Sequence, residues 1–303
     1  MNDGFFVVDK PAGITSHDVV SRVRRILATR KVGHTGTLDP FATGVLPVAV
    51  NEGTKVIPFL DEGLKQYDAL LRLGVATDTL DMTGRVVSQG DWSAVDPEQF
   101  AAVMTRFTGH ISQIPPMFSA IKRGGQPLYK LARQGLEVER EARTVEIRSL
   151  EMIAFDPPHV ALRVTCSRGT YVRSLADDIG SELGCGASLQ ELRRIISGPF
   201  QISAAVSLEE LEEAYRQGAL DAVRMTPFAA LDHLPDIPLA DAGLDKVRHG
   251  RSPEWREAAL TEVPFIETPR LARLSSNGTL AAVAQLVPVP DGYARIVLKR
   301  VFI

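Results

Sequence analysis

Apolar and polar positions along the chain keep two rhythms that change over at glycine- and proline-rich breaks. Alternation of period two, or a short apolar run, predicts strands at 5–9, 45–50, 65–74, 144–155 and 160–166. Helical spacing replaces it at Val19, Val20, Val23, Ile26 and Leu27, behind a Thr15 or Ser16 cap, and again at Phe100, Val103, Met104 and Phe107. Asp96 and Pro97 mark the start of that second helix, and 55–60 reads as a short helical turn. Residues 227–245, rich in Pro, Asp and Ala, read as a linker. Beyond it, 249–251, 272–284 and 295–301 read as short strands around an Asn277-Gly278 hairpin turn. The expected fold is therefore α+β, a largely antiparallel mixed sheet flanked by helices over 1–235, followed by a small β-rich domain over 236–303.

One stretch keeps neither rhythm. Residues 31–47, KVGHTGTLDPFATGVLP, gather Gly33, Gly36, Gly44, Pro40 and Pro47 around a single carboxylate, Asp39. No helix interior tolerates that composition, so Asp39 sits on a shaped loop, with His34, Thr35 and Thr37 supplying a ring and two hydroxyls nearby. Taken locally, the same residues also fit a simple Asx-type turn. The string GHTGT lacks the Lys-Ser/Thr ending of a phosphate-binding P-loop, which argues against a nucleotide-binding enzyme.

Bulk properties narrow the classes further. The 303 residues suffice for a sizeable core, and 45% hydrophobic with 23% charged residues is ordinary globular composition. No apolar run is long enough to span a bilayer and no secretory signal is visible, so a cytoplasmic protein is expected. Cys166 and Cys185 have neither CxxC nor metal-ligand spacing and read as buried thiols. The net charge of −3 argues mildly against a nucleic-acid binder, but acidic residues concentrate in 209–245 while 122–148 and 246–300 carry a basic excess. Asp78 and Asp81 alone make too few oxygen ligands for a cation site, so no metal is expected.

The wording of 33–47, GHTGTLDPFATGVLP, closely resembles the signature loop of the bacterial tRNA pseudouridine synthase family of the TruB type, which modifies uridine 55 in the T-loop. Further blocks keep the family's order: VVDKPAGITSHDVVSRVRRIL with its Lys10–Gly13 turn, the strand bearing Tyr67, the TDTLD loop ending at Asp81, and the PPMFSAIK approach at 115–122. CSRGTYVRSLADDIG at 166–180 and LRRIISGPF at 192–200 follow. The segment beyond 236 is similar, more loosely, to the family's PUA-type RNA-binding module.

This resemblance implies that Asp39 is the catalytic residue, that Arg173 pairs with it, and that Tyr67 lies against the target base. It places Lys10, Asp81, Tyr171 and Leu192 around the substrate, with Asp81 holding the site by hydrogen bonds. His34 would occupy the stack vacated by a flipped nucleotide. An insertion at about 117–145 would be a thumb gripping RNA through Lys122, Arg123, Lys130 and Arg133. The implied reaction moves uracil from an N1 to a C5 link on the same ribose, needing no cofactor. Whether Asp39 attacks the base or the ribose, or helps abstract a sugar proton, stays open. The implied partner is the tRNA T-arm, bound by a monomer without an obligate protein partner. A tRNA-binding or tRNA-folding protein without turnover is the alternative, and it would have no need of the set Asp39, Tyr67 and Arg173. A guide-RNA-dependent relative of the dyskerin type shares the motifs, but the bacterial-style thumb favours a stand-alone enzyme.

Overall fold

The computed structural model describes residues 3–61, 63–260, 265–289 and 294–303. The first strand, Gly4–Lys10 (β1), is almost wholly buried, as its Phe-Phe-Val-Val run requires. Thr15, not Ser16, caps the helix that follows, Ser16–Ile26 (α1), through a reciprocal box with Asp18. Two short-range elements frame the glycine-rich loop: Val32–His34 (β2) before it and Thr43–Val50 (β3) after it. Lys65–Leu73 (β4) alternates strictly, with Lys65, Tyr67, Ala69, Leu71 and Leu73 buried and the residues between them half-buried.

Helix Pro97–Arg106 (α2), capped by Asp96, leads to Gly109–Gln113 (β5), Arg143–Asp156 (β6) and His159–Cys166 (β7). Helix Val172–Glu182 (α3), strand Ala187–Ser197 (β8) and helix Leu208–Arg216 (α4) complete this part. The strands form one ten-stranded sheet in the order Arg224–Met225, β1, β3, β8, β4, β7, β6, β5, with β2 added on β3 and Phe200–Gln201 on β8. Neighbours on that path are antiparallel except β3 and β8, which meet in parallel at Thr43–Arg193 and Gly44–Arg194. At this junction Gly44 has φ +96°, and a Cβ there would stand 2.2 Å from the Arg194 carbonyl oxygen, so only glycine fits.

One face of the sheet carries the core. Val19, Val20 and Val23 of α1, Phe100 and Val103 of α2, and Leu175 and Ile179 of α3 pack with Tyr67, Leu71 and Leu189. On the other face charged pairs bridge strands, Asp9 to Arg193 at 2.6 Å and Asp68 to Arg163 at 2.7 and 2.9 Å. These half-exposed pairs add little stability each but agree with the register.

The C-terminal part is a four-stranded sheet of Asp236–Pro238 (β9), Arg270–Ser276 (β10), Thr279–Pro288 (β11) and Ala294–Val301 (β12). Asn277 and Gly278, at φ 48° and 69°, make the two-residue turn expected between β10 and β11. Ile237, Val247, Leu274, Leu286 and Ile296 form its own cluster. Another cluster joins Phe5, Val7 and Ala49 of the large sheet to Leu231, Leu234, Leu280 and Val283. Arg273 secures the same junction, stacking 4.0 Å over Phe228 and donating to the Phe228 carbonyl at 2.9 Å.

Two expectations need correction. Residues 227–245 are not a linker: they hold helix Pro227–Ala230, β9 and helix Asp241–Arg248 (α5). Pro227 starts a helix capped by Thr226 rather than breaking the chain, and Ala230, Leu231, Leu234 and Ile237 are buried. Residues 249–251 are not a strand: Gly250, at φ 69°, closes α5 by donating to the Val247 carbonyl at 2.9 Å.

Candidate active site

Asp39 lies on the loop between β2 and β3, and both its neighbours are tied down. The Ser16 hydroxyl accepts from the Leu38 amide at 2.9 Å and donates to the Leu38 carbonyl at 3.1 Å. The Pro40 carbonyl accepts from the Gly13 amide at 2.8 Å and from Lys10 Nζ at 3.1 Å. Lys10 also donates to the Pro11 and Ile14 carbonyls, both at 2.8 Å, so its ammonium closes the turn between β1 and α1 onto the loop. Burial pushes Lys10 down to about 8, against the pull of the Asp39 charge.

Arg173 enters from the first turn of α3 and is 3% exposed. Its Nη2 donates to Asp39 Oδ1 at 3.1 Å, while Nε stands 2.9 Å from Oδ2 but aims off the line of a good hydrogen bond. The rest of the fork is held from behind: Nη1 donates to the Thr79 carbonyl at 2.9 Å and Nη2 to the Phe118 carbonyl at 2.8 Å. The guanidinium plane is thus fixed before it meets the carboxylate.

Asp81 stands 3.7 Å from Arg173 Nη1 and accepts from the Thr79 hydroxyl at 2.9 Å and from the Thr83 amide at 3.0 Å. Its Oδ1 is thus engaged by the loop, while Oδ2 faces Arg173. A third of the Asp39 side chain remains open. Burial raises the Asp39 pKa, Arg173 opposes that strongly, Asp81 adds to it and Lys10 opposes.

Around this pair the structure gathers most of the expected residues. Tyr67 on β4 and Tyr171 at the start of α3 both lie within reach of the Asp39 charge, and burial raises both phenols. Gln113 clamps Tyr171 by its backbone, donating to its carbonyl at 3.1 Å and accepting from its amide at 2.8 Å. Leu192 on β8 packs in the same cluster as Tyr67. His34 ends β2 half-buried, its Nδ1 without a hydrogen-bond partner among the described residues, and burial, Arg194 and His17 lower its pKa. Lys122, Arg123, Lys130 and Arg133 lie apart from it, exposed on a Gly124-Gly125 hairpin and the short helix Leu128–Ala132. The root of this insertion touches the site where Phe118 accepts from Arg173 and where Ser174 donates to the Ile114 carbonyl at 3.0 Å.

Arg194 is the residue that sequence reasoning missed. It is 2% exposed, donates through Nε to the Val45 carbonyl at 2.7 Å and through Nη2 to the Gly36 carbonyl at 3.0 Å, and lies against the Tyr67 phenol. Its signal was the period of two: in Leu192-Arg193-Arg194, Arg194 shares the Leu192 face and Arg193 the face of Asp9.

A partly buried carboxylate held by a buried arginine, beside one tyrosine on the sheet and one at the start of α3, suits covalent or proton-transfer chemistry. The same fold occurs in the solved Cbf5-Nop10-Gar1 complex, with TM-score 0.76 and 29% identity over 100% of this chain and 85% of the other. It recurs in an H/ACA RNP bound to a substrate RNA containing 2'-deoxyuridine, at TM-score 0.76 and 27% identity, over 100% and 86%. The class is that of the pseudouridine synthases. Residues 24–172 match the TruB family pseudouridylate synthase N-terminal domain, and 173–233 match the tRNA pseudouridylate synthase B C-terminal domain.

Among curated relatives, tRNA pseudouridine synthase B of Geobacter sulfurreducens is 55% identical over 285 residues, 93% of each chain. That of Stutzerimonas stutzeri is 46% identical over 266 residues, 86% of this chain and 87% of the other. The chain belongs to the TruB family, whose reaction is the isomerisation of uridine to pseudouridine.

Proposed function

We propose that this protein converts uridine 55 in the T-loop of tRNA to pseudouridine, with Asp39 as the catalytic residue. The observation that carries the assignment is the Asp39–Arg173 pair, a carboxylate kept available for chemistry in a partly dry site by a guanidinium immobilised from behind. The reaction is an isomerisation. The N1–C1′ bond breaks, uracil turns in the pocket, C5 bonds to C1′, and the C5 proton leaves while N1 gains one. Attack on the base, attack on the ribose and abstraction of a sugar proton all begin with an ionised Asp39. Tyr67 packs on the ring and serves the C5 proton, Asp81 holds Arg173 in place, and Lys10, Tyr171 and Leu192 shape the pocket.

The target must leave its stack, and the half-buried His34 ring offers the flat surface that fills the gap. The insertion with Lys122, Arg123, Lys130 and Arg133 supplies phosphate contacts. Residues 236–303, a PUA-like module beyond a boundary near 235, extend the RNA-binding face. The protein works as a monomer in the cytoplasm, and among the described residues no helix is long and apolar enough to cross a membrane.

The test is tritium release from a tRNA transcript carrying [5-³H]uridine, alongside the same transcript with cytidine at position 55. Release from the first and none from the second is expected. Release from both moves the target elsewhere. Binding without release from either would make the protein a tRNA binder.

A further inference from the structure

The site contains a second buried arginine to which no role in the reaction has been given. Arg194 sits on β8 directly opposite Tyr67 on β4, in register across an antiparallel pair, so the two side chains leave the sheet on the same face. Among the described residues its guanidinium meets carbonyls rather than a carboxylate. It spans the loop instead, bonding the Gly36 carbonyl three residues before Asp39 and the Val45 carbonyl six residues after it, and it meets the Tyr67 phenol. Two backbone anchors hold the guanidinium plane to the loop and the strand register sets it beside Tyr67, an arrangement a flexible ammonium would not keep.

We propose that Arg194 is a positioning residue that locks the Tyr67 ring to the Asp39 loop, so that a uracil held on the ring meets the carboxylate in one geometry. This rests on the pseudouridine synthase reading above. Arg173 sets the direction of the carboxylate, and Arg194 sets the spacing between carboxylate and platform. Near-attack geometry of this kind contributes to the chemical step and little to binding. Cutting the lock at Arg194 should therefore slow the chemical step, and once the Tyr67 hydroxyl is gone the same cut should cost little more.

The experiment is a single-turnover cycle on T-arm RNA with wild type, R194K, Y67F and the double variant, with RNA affinity measured in parallel. R194K keeps the buried charge but loses the fork. It should bind RNA within about threefold of wild type and convert it at least thirtyfold more slowly. In the Y67F background the same change should cost less than threefold, because the lock is already cut. R194M, which keeps bulk without charge, is the second variant and should repeat the pattern.

Additive losses, an unchanged single-turnover rate, or a loss confined to RNA affinity would each overturn the proposal. So would failure of both arginine variants to fold, which would make Arg194 a folding residue only. An inactive wild type would instead overturn the underlying reading, and the two failures are thereby told apart.

Discussion

Arg173 and Asp39, 134 positions apart in the chain, meet through two nitrogen–oxygen contacts of 2.9 and 3.1 Å. The arginine is buried almost completely and the carboxylate is not. That asymmetry lets the cation act as a fixed mount while the anion faces the reacting space.

Asp39→Asn keeps the shape and, on the proposed reading, removes the nucleophile or base. Turnover should fall by at least about a thousandfold with RNA binding retained, measured by tritium release under single-turnover conditions. The pH dependence has a definite sign. Burial raises Asp39 above its ordinary 3.8, and only the ionised form reacts, so the acid limb of the wild-type profile should lie above that value. Arg173→Gln removes the charge that opposes burial, and its residual activity should titrate at still higher pH. A limb that moves down, or stays, would remove Asp39 as the titrating group.

Lys10 donates to three carbonyls, and Lys10→Met leaves those of Pro11 and Ile14 without that donor while Pro40 keeps the Gly13 amide, a loss of about 1–2 kcal/mol at pH 7. Its folded-state pKa of about 8 lies below its ordinary 10.5, so between those values the unfolded chain binds the extra proton. Wild-type stability relative to Lys10→Met should therefore rise with pH from about 8 towards 10.5, and the burial penalty should be fully present below that window. Urea unfolding at pH 7 and pH 9.5 checks both statements.

Gly44→Ala forces a Cβ against the Arg194 backbone at a left-handed φ and should cost about 3 kcal/mol or more, carrying activity down with it. Gly13→Ala is the control. Gly13 also has positive φ, +86°, but nothing lies within 4 Å, so it should cost only about 1 kcal/mol of backbone strain. Thermal unfolding of the two variants separates collision from strain.

On the proposed reading, the exposed charges of the insertion act through phosphate. Lys122→Gln with Lys130→Gln should weaken RNA binding and flatten the log–log salt dependence by about one to two, with the single-turnover rate at saturating RNA unchanged. A fluorescence titration across salt concentrations is sufficient.

Strands β1, β3, β4, β6 and β7 were legible from alternation or a short apolar run, as in β4, whereas β5 and the central β8 were not read as strands. The 31–47 loop was legible because nothing else tolerates its glycines, prolines and lone carboxylate together. The span 227–245 was not, because helices of four and eight residues and a three-residue strand are too short for periodicity to show. Its Thr226-Pro227 pair was a usable start signal, read as a break. Arg194 escaped because two adjacent arginines look alike in sequence. Only the pleat separates one that meets Asp9 in solvent from one sealed beneath the loop.

Strand β8 occupies the middle of the large sheet, between β3 and β4, yet it follows both of them by more than a hundred residues. Without β8 the large sheet is two half-sheets, each with an open hydrogen-bonding rim. Asp39 belongs to one half and Tyr67 to the other, with Arg173 following β7 in the second. The last central strand to be synthesised is the seam that joins them, and it brings Leu192 and Arg194 with it. Without that seam, the loop bearing Asp39 and the strand bearing Tyr67 belong to separate half-sheets.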